Sequence, residues 1–208
     1  MKKIGEGYSY KVYQIDEDRV LKVFKKNYFE TVFDLSKSEG FQFLKPFIKI
    51  LNFKKIAKEY YGKILRTIPL EILGNPIFLN DTDYEQDKVL IFGDGFKNLS
   101  IEKSKNFLDS YFEMCVTLWQ LGYHDNVYNF SINCGLAKDG RCCMVDFNEL
   151  LEDFYSVRNE IALKKWQSHY DYSQLEVELK QYFDTKAEAI FSKENLKSNW
   201  GSRLIYAK

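Results

Sequence analysis

The start of the chain alternates turn residues with short apolar runs. Residues 10–15 and 19–24 form two such runs, and the acidic triplet Asp16-Glu17-Asp18 separates them. Apolar runs of this length, bounded by turn residues, are typical of β-strands. We therefore expect the chain to begin with two strands joined by a turn.

The pattern changes in the section that follows. Residues 31–44 carry apolar side chains at helical spacing, and Pro46 is expected to end that helix. Residues 47–53 and 56–65 are expected to form two further strands. Residues 74–95 mix Asn, Asp, Pro and Gly with one short apolar run, which predicts a linker carrying a single strand.

The strongest helical pattern opens the second half of the chain. Residues 101–121 place their apolar side chains on one wide face, with Ser100 suited to cap the start and Gly122 to end the helix. A hairpin is expected around Asp139-Gly140, and residues 150–194 have a helical composition. Strands first and mostly helices afterwards predict an α+β fold.

Composition and charge narrow the class of protein. Of the 208 residues, 45% are hydrophobic, so we expect a packed core and no global disorder. The 30 basic residues equal the 30 acidic ones in number. A general nucleic-acid-binding protein usually carries a basic excess, so no nucleic-acid partner is expected.

Cysteine usage and hydropathy favour a cytoplasmic protein. The cysteines lack zinc-site spacing, and the adjacent pair among them does not suggest a disulfide framework: Cys115, Cys134, Cys142 and Cys143. Reduced thiols fit the cytoplasm. The N-terminal lysines are not followed by an apolar run, so no signal peptide is expected, and no stretch has the length of a membrane span.

The first residues with candidate chemistry are two glycines and a lysine. Gly5 and Gly7 open the first strand-like run, and glycines let backbone amides approach phosphate oxygens. Lys22 follows Gly7 by 15 residues and lies at the centre of an apolar run. Separately, such glycines commonly mark a tight turn, and such a lysine commonly extends its amine to water. Together they form a more specific pattern.

This pattern resembles the protein kinase superfamily, in which a glycine-rich loop covers ATP and a strand lysine holds its phosphates. The resemblance implies that Gly5 and Gly7 shape a phosphate loop and that Lys22 neutralises phosphate charge. It also implies a helix glutamate that orients this lysine, and Glu39, on the helix predicted next, is the candidate. Tyr10 stands where the family has its third glycine.

The second half continues the resemblance. Kinases place a catalytic aspartate and a metal-binding asparagine after a long helix, and a metal-binding aspartate after the following hairpin. Here Asp125 follows the long predicted helix, and an apolar run leads into Asp146-Phe147. The resemblance implies that Asp125 orients or deprotonates the acceptor hydroxyl and that Asp146 holds Mg²⁺. Asn148 replaces the glycine of the family motif.

The metal-binding asparagine has an irregular spacing. A strict register from His124 leaves no acid at the base position, which would make the protein catalytically inactive. With Asp125 as the base, the asparagine is either Asn129, one residue too close, or Asn133, three residues too far. Asn133 is preferred, because its distance along the chain from Asp146 suits the predicted hairpin.

The resemblance implies one two-lobed, protein-kinase-like α+β domain. Residues 1–92 would form a small β-rich N-lobe, and residues 93–208 a reduced helical C-lobe, since no Ala-Pro-Glu motif follows Asp146. The implied function is ATP- and Mg²⁺-dependent phosphate transfer to a hydroxyl of an unidentified acceptor, with a small molecule or sugar favoured over a protein. An inactive pseudokinase that binds a nucleotide or a protein partner stays open, as does a domain with no nucleotide affinity.

Overall fold

The computed structural model describes residues 1–7, 9–25, 44–92, 99–125, 128, 130–148 and 150–203. These residues combine antiparallel strands with helices, so the predicted α+β class is confirmed. The chain divides into two compact units. The first contains Met1–Leu70 and Asn75–Lys88, and the second contains Glu71–Gly74 and Val89–Lys208.

The first unit contains a five-stranded antiparallel sheet in the order β1-β2-β3-β5-β4. Its strands are β1 (Lys2–Glu6), β2 (Tyr10–Gln14), β3 (Arg19–Phe24), β4 (Ile77–Phe78) and β5 (Tyr84–Asp87). Strands β2 and β3 confirm the two strands predicted at the start of the chain. Strands β4 and β5 correct the prediction of a linker, because their formation depends on pairing with one another and with β3.

Helix α1 (Leu44–Thr67) replaces the two strands predicted at 47–53 and 56–65, and that prediction was wrong. The isoleucine and aromatic residues of this section suit strands, which concealed a helical spacing. The buried positions of its second half lie four and three residues apart, at Ala57, Tyr61 and Ile64.

Pro46 lies within the first turn of α1 and does not end a helix as predicted. The first turn tolerates proline, because its backbone N–H groups have no partner within the helix. Residues 31–43 of the helix predicted before this point lie outside the described residues.

Aromatic side chains join α1 to the sheet. The hydroxyl oxygens of Tyr10 and Tyr61 are 2.6 Å apart, and the ring of Tyr61 lies 6.0 Å from that of Tyr84 and 4.6 Å from that of Phe78. Tyr10 and Phe24 also meet edge to face, with centroids 5.4 Å apart. The face of β3 that carries Phe24 is therefore the buried face of this unit.

The second unit is organised around helix α2 (Ile101–Gln120). The side chain of Ser100 accepts a hydrogen bond from the amide of Lys103, and Gly122 has a φ of 80°, so both predicted ends of the helix are confirmed. The later helices are α3 (Phe154–Ala162), α4 (Tyr170–Gln174), α5 (Val177–Ile190) and α6 (Lys193–Asn199), which confirms the helical composition predicted for this section.

Short strands complete the second unit in two small sheets. One has the order β6-β8-β9 and contains β6 (Leu90–Ile91), β8 (Cys134–Leu136) and β9 (Cys142–Met144). The other pairs β7 (His124–Asp125) with β10 (Leu150–Leu151). The predicted hairpin is confirmed, with Gly140 in its turn at a φ of 84°.

Two further features of the fold concern the apolar character of its helices and the state of its cysteines. Among the described residues, no helix combines the length and apolar character that crossing a membrane requires. All four cysteines are buried and none forms a disulfide. The fold therefore depends on packing and hydrogen bonding, without covalent cross-links between cysteines.

Candidate functional site

The glycine loop connects β1 to β2. The amide of Gly7 donates to the carbonyl oxygen of Tyr10 at 2.9 Å, so this N–H is used within the hairpin. The amide of Lys25 donates to the carbonyl oxygen of Ser9 at 2.9 Å, which ties the loop to the residue after β3. Among the described residues, no atom lies within 4 Å of a Cβ atom added to Gly7, whereas a Cβ atom at Gly5 would touch Val12.

Lys22 lies on the buried face of the sheet. Strand β3 pairs it with Val12 on β2 and with Tyr84 on β5, and its side chain shares a face with Phe24. The residue is only 7% exposed, and its Nζ atom lies 5.5 Å from the centroid of the Tyr84 ring. Burying an ammonium is costly, and the face of an aromatic ring compensates part of that cost. Lys22 is thus a buried cation within the sheet.

The glutamate assigned to orient Lys22 cannot be placed from the structure. Glu39 lies outside the described residues. The acidic residue of α1 is Glu59, which is exposed, while the inward positions of the described turns are apolar or aromatic. Glu39 stays a prediction from the resemblance.

Asn133 and Asp146 lie side by side in the second unit. The carbonyl oxygen of Asn133 accepts hydrogen bonds from the amides of Val145, at 2.7 Å, and Asp146, at 3.3 Å. These bonds extend the β8–β9 hairpin at its open end and bring the two residues together. Both residues are partly exposed. Their side-chain oxygens are the hard donors that Mg²⁺ prefers, and Mg²⁺ commonly takes one or two protein ligands together with phosphates and water.

Asp125 has a different environment. It lies in β7 opposite Leu150, is 2% exposed, and its Oδ2 atom accepts a hydrogen bond from the hydroxyl of Tyr111 at 3.2 Å. Burial, together with the charge of Asp125, raises the pKa of the neighbouring Cys115 thiol well above its ordinary value. The Asp125 carboxylate is thus held against helix α2 by Tyr111, and direct contact with an acceptor hydroxyl would need it to become exposed.

Tyr128, which follows β7, contacts a buried histidine to which sequence reasoning gave no role. The indole N–H of Trp119 donates to Nδ1 of His124 at 2.9 Å, so Nδ1 carries no proton and Nε2 donates to the hydroxyl of Tyr128 at 2.8 Å. Burial lowers the pKa of His124 to about 3, which keeps the ring neutral. Tyr128 has a φ of 48°, a strained value for a tyrosine, and this bond helps to hold it there.

A second contact holds the same segment closer to Asn133. Asp171, on α4, is buried, and its Oδ2 atom accepts a hydrogen bond from the amide of Ser131 at 2.7 Å. Neither Asp171 nor Tyr128 belongs to a recognisable motif, and only tertiary packing brings them to this segment. The positions of Asn129 and Asn126 lie outside the described residues.

Comparison with known proteins adds no assignment. The sequence matches no family model and no curated protein. Within the part of the chain that the structure describes, no three or more His, Cys, Asp or Glu side chains form a group suited to a metal ion. The candidate magnesium donors stay the pair Asn133 and Asp146, which the β8–β9 hairpin brings together.

Proposed function

We propose that this chain is an ATP- and Mg²⁺-dependent phosphotransferase with a two-lobed, protein-kinase-like fold. The observation that carries the proposal is the position of Asn133 beside Asp146 at the open end of the hairpin that follows the long helix α2. Lys22 supports it, because a buried lysine follows a glycine-containing turn in the middle of the first sheet. The order of these residues along the chain is the order of the kinase motifs.

Each candidate residue has a distinct role in this proposal. Gly5 and Gly7 shape the loop that covers the phosphates, and Lys22 neutralises their charge, oriented by Glu39. Asn133 and Asp146 would hold Mg²⁺, which supplies charge neutralisation when bound. Catalysis in this reaction class depends mainly on positioning and electrostatic stabilisation, so these few polar groups would supply most of the rate. The free cysteines fit a cytoplasmic location.

The acceptor that we favour in this proposal is a hydroxyl of a small molecule or sugar. After Asp146 the chain enters β10 at Leu150 and α3 at Phe154. This short connection leaves no long segment between Asp146 and the next helix on which a peptide substrate could lie. A compact acceptor needs no such segment.

A catalytically inactive nucleotide-binding module is the second candidate. The observation that favours it is the burial of Asp125, which accepts a hydrogen bond from Tyr111 in place of facing an acceptor. In this alternative, Lys22 and Asp146 would still bind Mg-ATP, but no group would take the proton of the acceptor hydroxyl. The two candidates therefore differ in phosphate transfer and agree in nucleotide binding.

Phosphate transfer from labelled ATP to a panel of sugars and small alcohols separates the two candidates. In the phosphotransferase proposal, Asp125 becomes exposed to orient or deprotonate the acceptor hydroxyl. This predicts transfer by the wild type, with none by Asp125→Asn although that variant still binds Mg-ATP. Binding without transfer to any acceptor supports the inactive module. Transfer by Asp125→Asn at the wild-type rate would show that another group takes the proton. Absence of both binding and transfer in the wild type would overturn both candidates.

A further inference from the structure

Glu6 and Lys25 form an ion pair at the glycine loop. Glu6 stands between Gly5 and Gly7 at the end of β1, and Lys25 is the first residue after β3. The Nζ atom of Lys25 lies 2.7 Å from Oε1 of Glu6, and Lys3 contacts the other carboxylate oxygen. The carboxylate of Glu6 is therefore held between two ammonium groups.

This ion pair differs from the surface pairs of the same unit. The side chain of Lys25 is 2% exposed, whereas Lys58, which lies 3.9 Å from Asp81, is 83% exposed. A buried ammonium depends on its charged partner far more than an exposed one does, because water cannot replace that partner. The hydrogen bond from Lys25, and to a smaller extent the one from Lys3, lowers the pKa of Glu6 to about 2, so the carboxylate is ionised at neutral pH.

The ion pair acts on the same loop as a main-chain bond. The amide of Lys25 donates to Ser9, which lies at the far end of the loop, while its ammonium binds Glu6 at the near end. Lys25 thus contacts both ends of the glycine loop. The register between β1 and β2 is irregular between Lys3 and Gly5, and strand pairing resumes with Glu6 opposite Lys11 at the near end of the loop.

We propose that Glu6 and Lys25 are positioning residues that fix the glycine loop in the conformation that receives a nucleotide. The inference rests on the proposed function. Neither side chain needs to touch the nucleotide, because the pair acts through the backbone of the loop. A loop that is already ordered loses less conformational entropy when the nucleotide binds, so the pair increases nucleotide affinity and leaves the rate of the chemical step unchanged.

The test compares Glu6→Gln and Lys25→Met with the charge-swapped double variant Glu6→Lys/Lys25→Glu. Lys58→Met, which removes an exposed lysine from the same unit, is the matched control. Hydrogen exchange of the loop amides and the calorimetric affinity for Mg-ATP are measured for each protein, and thermal unfolding shows which variants are folded. Because Glu6→Gln keeps the shape of a partly exposed side chain, it stays informative even where Lys25→Met fails to fold.

We expect Glu6→Gln to speed exchange in the loop and to weaken Mg-ATP affinity about tenfold. The charge swap restores part of both, and the control changes neither. Unchanged exchange in Glu6→Gln would overturn the proposal. Tighter Mg-ATP binding by Glu6→Gln would also overturn it, because Glu6 would then be competing with phosphate for Lys25. A wild type without Mg-ATP affinity would refute the proposed function and the role in affinity, while exchange would still show whether the pair holds the loop.

Discussion

The backbone of Asn133 holds Asp146 in place: the carbonyl oxygen of Asn133 accepts the amide of Asp146 at 3.3 Å and that of Val145 at 2.7 Å. The side chains of Asn133 and Asp146 take no part in these bonds. Each side chain can therefore be replaced without removing the contact that closes the hairpin. Substitutions of these side chains therefore test the proposed magnesium site while the backbone bonds of the hairpin stay in place, although the carboxylate of Asp146 also accepts a hydrogen bond from the amide of Asn148 at 3.4 Å.

Asp146→Asn should weaken Mg-ATP binding and remove most of its dependence on Mg²⁺, because an amide is a poorer ligand for this ion than a carboxylate. We expect a loss of affinity of about tenfold or more. Calorimetric titration with ATP in the presence and absence of Mg²⁺ measures both effects. Asp139→Asn is the matched control, since Asp139 lies in the exposed turn of the same hairpin and pairs with Arg141. Equal effects of the two substitutions would contradict the assignment of Asp146.

Tyr111→Phe should destabilise the second unit. It removes the hydroxyl that donates to the buried Asp125 carboxylate at 3.2 Å, and a buried acceptor that loses a donor costs about 1 to 3 kcal/mol. Urea unfolding followed by circular dichroism measures the change in the free energy of unfolding. Tyr155→Phe is the control, because Tyr155 is 72% exposed. A change below about 0.5 kcal/mol in Tyr111→Phe, the range of ordinary surface substitutions, would show that the bond contributes little.

His124 should make the fold sensitive to acid. Its pKa in the folded protein is lowered to about 3 by burial, below the value of about 6.5 in an unfolded chain. As the pH falls from about 6.5 to about 3, the unfolded chain binds more protons than the folded protein, so the free energy of unfolding decreases by at most about 1.4 kcal/mol per pH unit from this residue. NMR of the imidazole nitrogens should show a neutral His124 ring at about pH 5. A protonated ring in the folded protein at that pH would contradict the prediction.

Gly135→Ala should destabilise the contact between β6 and β8. A Cβ atom at this position would lie 2.4 Å from Cγ2 of Val89 and 2.9 Å from the carbonyl oxygen of Leu90. Overpacking of this kind costs about 1 to 3 kcal/mol. Val89→Ala in the same chain should recover part of the loss, which a double-mutant cycle of unfolding free energies measures.

Gly62→Ala is the contrasting glycine substitution. Gly62 lies inside α1, and within the part of the chain that the structure describes no atom lies within 4 Å of the added Cβ atom, so alanine should stabilise the helix by about 1 kcal/mol. The midpoint temperature of thermal unfolding should therefore increase in Gly62→Ala and decrease in Gly135→Ala. A stabilised Gly135→Ala protein would show that β6 can move away from β8 at little cost.

The elements that were predicted correctly carry both their apolar pattern and their end signals within their own residues or directly beside them. Strand β3 was predicted from residue 19 to 24, because its apolar run is bounded by an acidic turn. Helix α2 has its own cap at Ser100 and its own apolar face. Helix α1 was mistaken for strands, since its Phe, Ile and Tyr residues suit strands and Gly62 suggested a turn. Only its packing against the sheet, through Tyr61, reveals the helical face.

The order of the candidate site residues along the chain could be predicted from the sequence, but their burial and their contacts could not. The positions of Lys22 and Asp146 within their elements follow from local patterns, and both lie in or beside the predicted strands. The burial of Asp125 and its hydrogen bond from Tyr111 do not follow from local patterns, because Tyr111 lies fourteen residues earlier in the chain, on helix α2. The same holds for Lys25, whose partner Glu6 lies on another strand. Ion pairs and burial between distant residues are properties of the folded chain.

Calorimetric titration of Mg-ATP into the wild type, Lys22→Ala and Lys58→Ala shows whether the chain has a nucleotide site that depends on Lys22. We expect saturable, Mg²⁺-dependent binding by the wild type and by Lys58→Ala, whose lysine is exposed. Lys22→Ala should bind about ten- to a hundredfold more weakly, because charge-assisted hydrogen bonds to phosphate contribute about 1.5 to 3 kcal/mol. Equal affinity of Lys22→Ala and the wild type, or no binding by the wild type, would contradict the nucleotide site.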